Sequence, residues 1–136
     1  MLEKVAQIFK LQHRNQHLYV MEEKQALAKA RYYAMEYVEE NRPPLHLRDK
    51  VDLGFSLDNR ELRIFEIRPV YNDPEIKIES DVARAKYIKS RDIWKVYWKR
   101  ANGNWEPYRP GGDSEVDDIT EFFSLLDEDK YGAFWG

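Results

Sequence analysis

The stretch 82–108, VARAKYIKSRDIWKVYWKRANGNWEPY, decides the fold. Apolar and charged side chains alternate along it with a period of two, the mark of strands that bury one face. Two runs, Val82 to Lys89 and Asp92 to Arg100, meet at Ser90-Arg91. Asn102-Gly103, the strongest short hairpin signal, then precedes a last strand, Asn104 to Tyr108. Reading both dipeptides as two-residue loops sets Tyr87 opposite Trp94, Lys86 opposite Lys95 and Ala85 opposite Val96. In the second hairpin Arg100 meets Trp105, Lys99 meets Glu106, Trp98 meets Pro107 and Tyr97 meets Tyr108. One face then carries Ala83, Ala85, Tyr87, Trp94, Val96, Trp98 and Trp105 and is assigned to the core. The other carries Arg84, Lys86, Ile88, Ile93, Lys95, Tyr97, Lys99 and Tyr108.

Upstream, Val51, Leu53, Phe55 and Leu57 alternate with polar or small residues, Asp58-Asn59-Arg60 supplies a turn, and a second strand runs from Glu61 to Arg68. It stops at Pro69, and Tyr71-Asn72-Asp73-Pro74 reads as loop. Residues 22 to 41 place Leu27, Ala30, Ala34, Tyr37 and Val38 at helical spacing, and Pro43-Pro44 makes Arg42 the boundary of that helix. Downstream, Pro110-Gly111-Gly112 breaks the chain before a helix over 114–128 with Val116, Ile119, Phe122, Phe123 and Leu126 as its stripe. Helix, five-strand meander, helix, with short connections, predicts an α+β fold: an antiparallel sheet with both helices packed on one face, and no βαβ unit. Residues 1–20 read as an N-terminal extension and 21–136 as one domain.

Composition supports a single packed core: 136 residues, 43% hydrophobic, 14% aromatic, with four Trp and nine Tyr. The absence of cysteine excludes disulfides, thiolate nucleophiles and sulfur-ligated metals. Met1 to Lys10 lacks the continuous apolar stretch of a signal peptide or membrane span, so the expectation is a cytoplasmic chain. Net charge is only −3, but its distribution is uneven. From Arg84 to Arg100 the chain is locally +6, and from Asp113 to Lys130 it is locally −7.

Four cations interleaved with two tyrosines on one sheet face, Arg84, Lys86, Lys95, Lys99, Tyr97 and Tyr108, form the combination that single-stranded nucleic-acid binders use. The alternative is that this face is solvated, or is neutralised by the acidic C-terminal segment. Placing Lys86 across from Lys95 is mildly destabilising, and a nearby anion would relieve it.

Glu66 and Arg68 fall on the same side as Leu62 and Ile64, which aims a carboxylate at the core. An ion pair between them is the structural reading; a catalytic or metal-binding carboxylate is the functional one. A metal-dependent nuclease would want a second carboxylate nearby and a lysine at position 68. Asp52, however, alternates to the opposite face. His13 and His17, four apart, could share a helical face, but no glutamate follows His13 as a metalloprotease pattern requires, and His46 has no evident partner. No serine or threonine sits in a nucleophile motif, and no glycine-rich phosphate loop is present. No metal and no cofactor is therefore expected.

Arg42-Pro43-Pro44, Phe65-Glu66-Ile67-Arg68-Pro69, Trp94-Lys95-Val96-Tyr97-Trp98 and Tyr131-Gly132-Ala133-Phe134-Trp135-Gly136, in this order and spacing, resemble a bacterial family known as domain-of-unknown-function family 3024. The resemblance spans residues 22–136 and implies a small bacterial protein without an assigned reaction. Phe134-Trp135 is expected to fold back onto the core, since two free aromatics at a terminus would be sticky. The functional expectation is a non-enzymatic binding module using Arg84, Lys86, Lys95, Tyr97, Lys99 and Tyr108 for an anionic partner such as single-stranded nucleic acid. The alternatives are a small enzyme centred on Glu66 and Arg68, and a homo-oligomer pairing its basic sheet with a neighbour's acidic helix.

Overall fold

Ala26, Ala30, Tyr33, Ala34, Tyr37 and Val38 recur at steps of three and four residues, and they form the buried or partly buried stripe of α1 (Gln16–Asn41). A computed structural model describes residues 16–136, with side chains from Glu22 onward. The helix begins earlier than its apolar stripe implies, and it ends where Arg42-Pro43 forbids another turn. A single 3-10 turn, Leu45–Leu47, leads into the sheet.

The sheet is an antiparallel meander of β1 (Asp52–Asp58), β2 (Glu61–Val70), β3 (Asp73–Ile88), β4 (Ile93–Lys99) and β5 (Trp105–Pro107) in sequence order. A sixth short strand, β6 (Glu115–Val116), shares with β5 the outer edge of β4. The first turn has Asn59 and Arg60 both at positive φ, 49° and 65°, the geometry of a tight two-residue hairpin loop. The β3–β4 register is the expected one, with Tyr87 opposite Trp94, Lys86 opposite Lys95 and Ala85 opposite Val96, but Ser90-Arg91 is not a two-residue loop: the last pair is Ile88–Ile93, Arg91 N–H donates to Ile88 O, and Asp92, at φ 51°, closes a four-residue connection.

Three further expectations are corrected. The final helix, α2 (Ile119–Glu128), starts later than its apolar stripe implies: 115–116 are strand, and Asp118 caps the helix by accepting from the Thr120 N–H while the Glu121 carboxylate accepts from the Asp118 N–H. The stretch from Asp73, expected as loop, is the first half of β3, which runs as a 16-residue strand past Pro74. It tolerates the proline because its outer edge there has no described partner strand to need the missing N–H.

The third correction concerns register. Asn102-Gly103 does not form a two-residue loop: Arg100 N–H donates to Asn104 O, Gly103 N–H donates to Arg100 O, and only Gly103, at φ 86°, is left-handed. That is a three-residue loop, a type I turn closed by a left-handed glycine. It shifts β5 by one residue, so Lys99 meets Trp105, Trp98 meets Glu106 and Tyr97 meets Pro107. A one-residue slip exchanges faces. Trp105, assigned to the core, lies on the outer face, and Tyr108, assigned to the outer face, is buried with its ring 4.7 Å from that of Phe134.

Both helices pack on one face of the sheet, where Leu53, Leu62, Ile64, Ala83, Ala85, Tyr87, Trp94 and Val96 meet Ala30, Ala34, Tyr37, Ile119, Phe122 and Leu126. The C-terminus closes this layer as expected. Asp129 accepts from the Phe134 and Trp135 N–H groups, Trp135 donates its indole N–H to Leu126 O, and Phe134 is buried.

Candidate functional site

No described element covers the other face of the sheet. Pairing puts Arg63, Arg84, Lys86, Lys95, Tyr97, Lys99 and Trp105 there together. The five expected residues Arg84, Lys86, Lys95, Tyr97 and Lys99 are thus brought onto one surface, and the sixth, Tyr108, is not. Trp105 takes its place. The Arg84 guanidinium lies 4.5 Å from the Tyr97 ring centre and 5.2 Å from that of Trp105, with the Lys99 ammonium 5.4 Å from Trp105 and the Lys95 ammonium 5.7 Å from Tyr97. Cations at these distances are held by the ring quadrupoles.

Acids from earlier in the chain share the face. Asp81 is paired with Arg63 and, at 3.2 Å, with Lys99; Glu79 is 3.0 Å from Arg63. Glu61 Oε1 lies 2.8 Å from Arg84 Nε, which makes no aligned hydrogen bond, so charge rather than a directed bond holds that pair. The acidic helix α2 contributes nothing here, since it packs on the opposite face. Lys86 and Lys95, directly opposed, have no ion-pair partner among the described residues. The free positive charge of the surface is therefore concentrated at these two lysines, with the Lys95 ammonium beside the Tyr97 ring.

Phe65 adds an apolar floor. A register shift between Ile64 and Phe65 leaves Val82 as an extra residue on β3, and the Phe65 ring is buried under the Arg63 guanidinium at 4.9 Å. Gly54 makes room for it: a Cβ there would stand 2.9 Å from the Phe65 ring.

Glu66 and Arg68 lie on the helix-bearing side, as expected, and form an ion pair at 3.1 Å. Glu66 lines a cavity of about 280 Å³ with Tyr37, Asn41, Leu53, Asp127 and Trp135. Three stretches far apart in sequence, Arg42-Pro43-Pro44, Phe65 to Pro69 and Tyr131 to Gly136, each send a residue to this cavity or its rim. Burial, with the Asp127 charge next in effect, pushes the Tyr37 hydroxyl up to about 12, so it stays protonated at neutral pH. Asp52, expected to point away from Glu66, lines the same cavity from the β1 edge of the sheet, but both its oxygens are held by Arg42, at 3.0 and 2.8 Å, and it accepts from the Leu53 N–H. Among the described residues no three His, Asp or Glu side chains converge on a metal position. His13 lies outside the described residues, as does the side chain of His17, and His46 is exposed in the 3-10 turn.

The Arg42 guanidinium, with the Leu53 N–H, holds the Asp52 carboxyl below its ordinary value of 3.8. A depressed folded-state value contributes stability that is complete above the ordinary value and is lost as pH falls through the folded one. Asp52→Asn is therefore expected to lower stability at neutral pH and to flatten the acid limb of the stability curve. Urea midpoints of both proteins measured from neutral pH into acid check this; parallel acid limbs would show that the Asp52–Arg42 pair contributes nothing.

These features define a small α+β domain whose antiparallel sheet carries its helices on one face and leaves aromatic and cationic side chains on the other. The chain belongs to the family described as Domain of unknown function (DUF3024), which it matches over residues 21–136. No curated protein and no solved structure matches it. Among the described residues no helix is long and apolar enough to cross a membrane.

Proposed function

We propose that residues 21–136 form a non-enzymatic binding module, working in the cytoplasm, whose open sheet face takes an extended anionic chain such as single-stranded nucleic acid. The observation that carries this reading is the unpaired Lys86–Lys95 couple beside Tyr97, on a face that also carries Trp105 and that no described element covers. Stacking rings and phosphate-neutralising cations are what sequence-tolerant single-strand binding requires. A cysteine-free chain suits a reducing compartment. Because Asp81, Glu79 and Glu61 already occupy Arg63, Lys99 and Arg84, the ligand meets a modest positive field.

The salt dependence follows. Two free lysines neutralise about two phosphates, so the logarithm of the association constant should fall with the logarithm of salt at a slope of about −1.4, far shallower than for a strongly basic protein. Fluorescence anisotropy of a labelled single-stranded oligonucleotide mixture, against wild type and Lys86→Glu/Lys95→Glu, tests this. Salt-sensitive binding that the variant loses is the expected result, and no binding at low salt would overturn the proposal.

One observation favours a second reading, a small-molecule or catalytic site at the Glu66 cavity: the convergence there of three distant stretches of chain. Glu66→Gln separates the two, since it leaves oligonucleotide binding untouched.

A further inference from the structure

We propose that the outer half of the β2–β3 hairpin is a self-association edge, through which two copies of this chain pair their β3 strands antiparallel about a two-fold axis at Ile78. β3 pairs with β4 only from Ala83 to Ile88, so from Asp73 to Val82 its second edge has no described partner strand. β2 likewise has no β1 partner beyond Ile67. The two strands therefore project from the sheet as a ribbon, with a row of backbone N–H and C=O groups free along β3. Such an edge is a template for another strand.

Pro74 and the bulge at Val82 blunt the two ends of this edge, but between them it carries apolar side chains left in water. Every residue from Tyr71 to Ser80 is exposed, and the row includes Ile76 at 53% and Ile78 at 52% exposure. Both isoleucines lie on the helix-bearing side of the sheet, with Arg68 opposite Ile78, and neither helix reaches them. Lys77 and Glu79 alternate to the open face. A β-branched pair left in water on a free edge gains from a cross-strand neighbour.

The occupant is a second copy because the segment is self-complementary about Ile78; an axis at Ile76 would also pair Glu75 with Lys77, but it brings Pro74, which lacks an N–H, into the ladder and sets Asp73 against Glu79. Residues 75–81 read Glu-Ile-Lys-Ile-Glu-Ser-Asp. With the axis at Ile78, Ile78 meets its own copy, Ile76 meets Ser80, and Lys77 meets Glu79 twice, once on each side of the axis. Moving the axis one residue, to Lys77, sets Lys77 against Lys77 and Glu75 against Glu79, so like charges reject the neighbouring register. The pairing at Ile78 also sets Glu75 opposite Asp81, whose charge is already met by Arg63 and Lys99. Lys77 donates to Asp49 O at 2.8 Å and Glu79 sits 3.0 Å from Arg63, each with hydrogen-bonding capacity to spare. A single short edge makes a weak, concentration-dependent dimer.

Charge reversal tests the register directly. Sedimentation velocity over a concentration series is expected to show wild-type dimerisation. Lys77→Glu and Glu79→Lys, each alone, should weaken it by at least about tenfold, because both cross-strand pairs become repulsive. An equimolar mixture of the two variants should regain wild-type association, since one chain then presents an acid at both positions and the other a base at both. A variant that failed to fold could not be rescued in this way. A wild type that stays monomeric, association indifferent to the single reversals, or a mixture that does not recover would each overturn the proposal.

Discussion

Phe122→Ala is expected to lower the unfolding free energy by about 3–5 kcal/mol, the cost of removing a fully buried aromatic ring and leaving a cavity. Phe122 is wholly inaccessible and stands among the largest such side chains, with Leu62 and Ile64 from β2 and Ile119 and Leu126 from its own helix. Its ring contacts that of Phe123 edge-on at 5.2 Å, and Phe123 in turn lies 5.0 Å from Tyr37 of α1, so three rings join the two helices. The site has little freedom to collapse. The first turn of α2 is held by the Asp118 cap, which also pairs with Lys29 of α1, and its end is held by Asp129 and the Trp135 indole. Against a typical total of about 5–15 kcal/mol, this loss is a large fraction of the stability. Urea unfolding followed by tryptophan fluorescence measures it; a loss within about 0.5 kcal/mol, as at a surface position, would mean that α2 does not pack here.

Much of this layer is legible in the sequence because each element states its own period. The stripe Ala30, Ala34, Tyr37, Val38 and the stripe Ile119, Phe122, Phe123, Leu126 carry helical spacing, and Ala83, Ala85, Tyr87 opposite Trp98, Val96, Trp94 carry the strand period. What escapes such a reading are features set by choices the local sequence leaves open. Asn-Gly admits a two-residue loop and equally a three-residue loop with glycine in the last position, and the chain uses the second at Asn102-Gly103 while forming its two-residue loop at Asn59-Arg60, which has no glycine. The choice at Asn102-Gly103 accompanies the burial of Tyr108 against Phe134, a contact between residues far apart in sequence.

The open face is less basic than the local sequence implies, for a related reason. Along 84–100 the chain is basic, but cross-strand neighbours decide the potential, and these bring Glu61, Glu79 and Asp81 to the same surface. Asp81 escapes a reading by alternation because the clear two-residue period begins only at Val82, and the shift beside Phe65 displaces the acids by one further position. The Glu66–Arg68 pair, by contrast, is legible, since both residues lie on one strand two positions apart.

The exchange of Trp105 and Tyr108 between faces gives the second large effect, as a crossed pair of results. Tyr108→Ala is expected to cost about 3–5 kcal/mol of stability, because Tyr108 is 6% exposed and its ring packs on Phe134, which ties the C-terminus to the sheet. Its effect on oligonucleotide binding, measured where the variant is still folded, should be negligible, because it lies on the far side of the sheet from Lys86 and Lys95. Trp105→Ala should do the reverse. Its ring is half-buried on the open face, and removing it forfeits about 1 kcal/mol of contact with Arg84 and Lys99. In binding, however, it removes a stacking platform worth about 1–3 kcal/mol per base, a loss of roughly five- to 150-fold in affinity. Urea unfolding and anisotropy on the same two variants read both quantities. The opposite cross, with Trp105 governing stability and Tyr108 governing binding, is what a two-residue Asn102-Gly103 loop would produce. If Trp105→Ala leaves binding unchanged while Tyr108→Ala destabilises as stated, the register stands, and any ligand on this face is held by the lysines alone. The Lys86→Glu/Lys95→Glu variant then decides whether the open face binds at all.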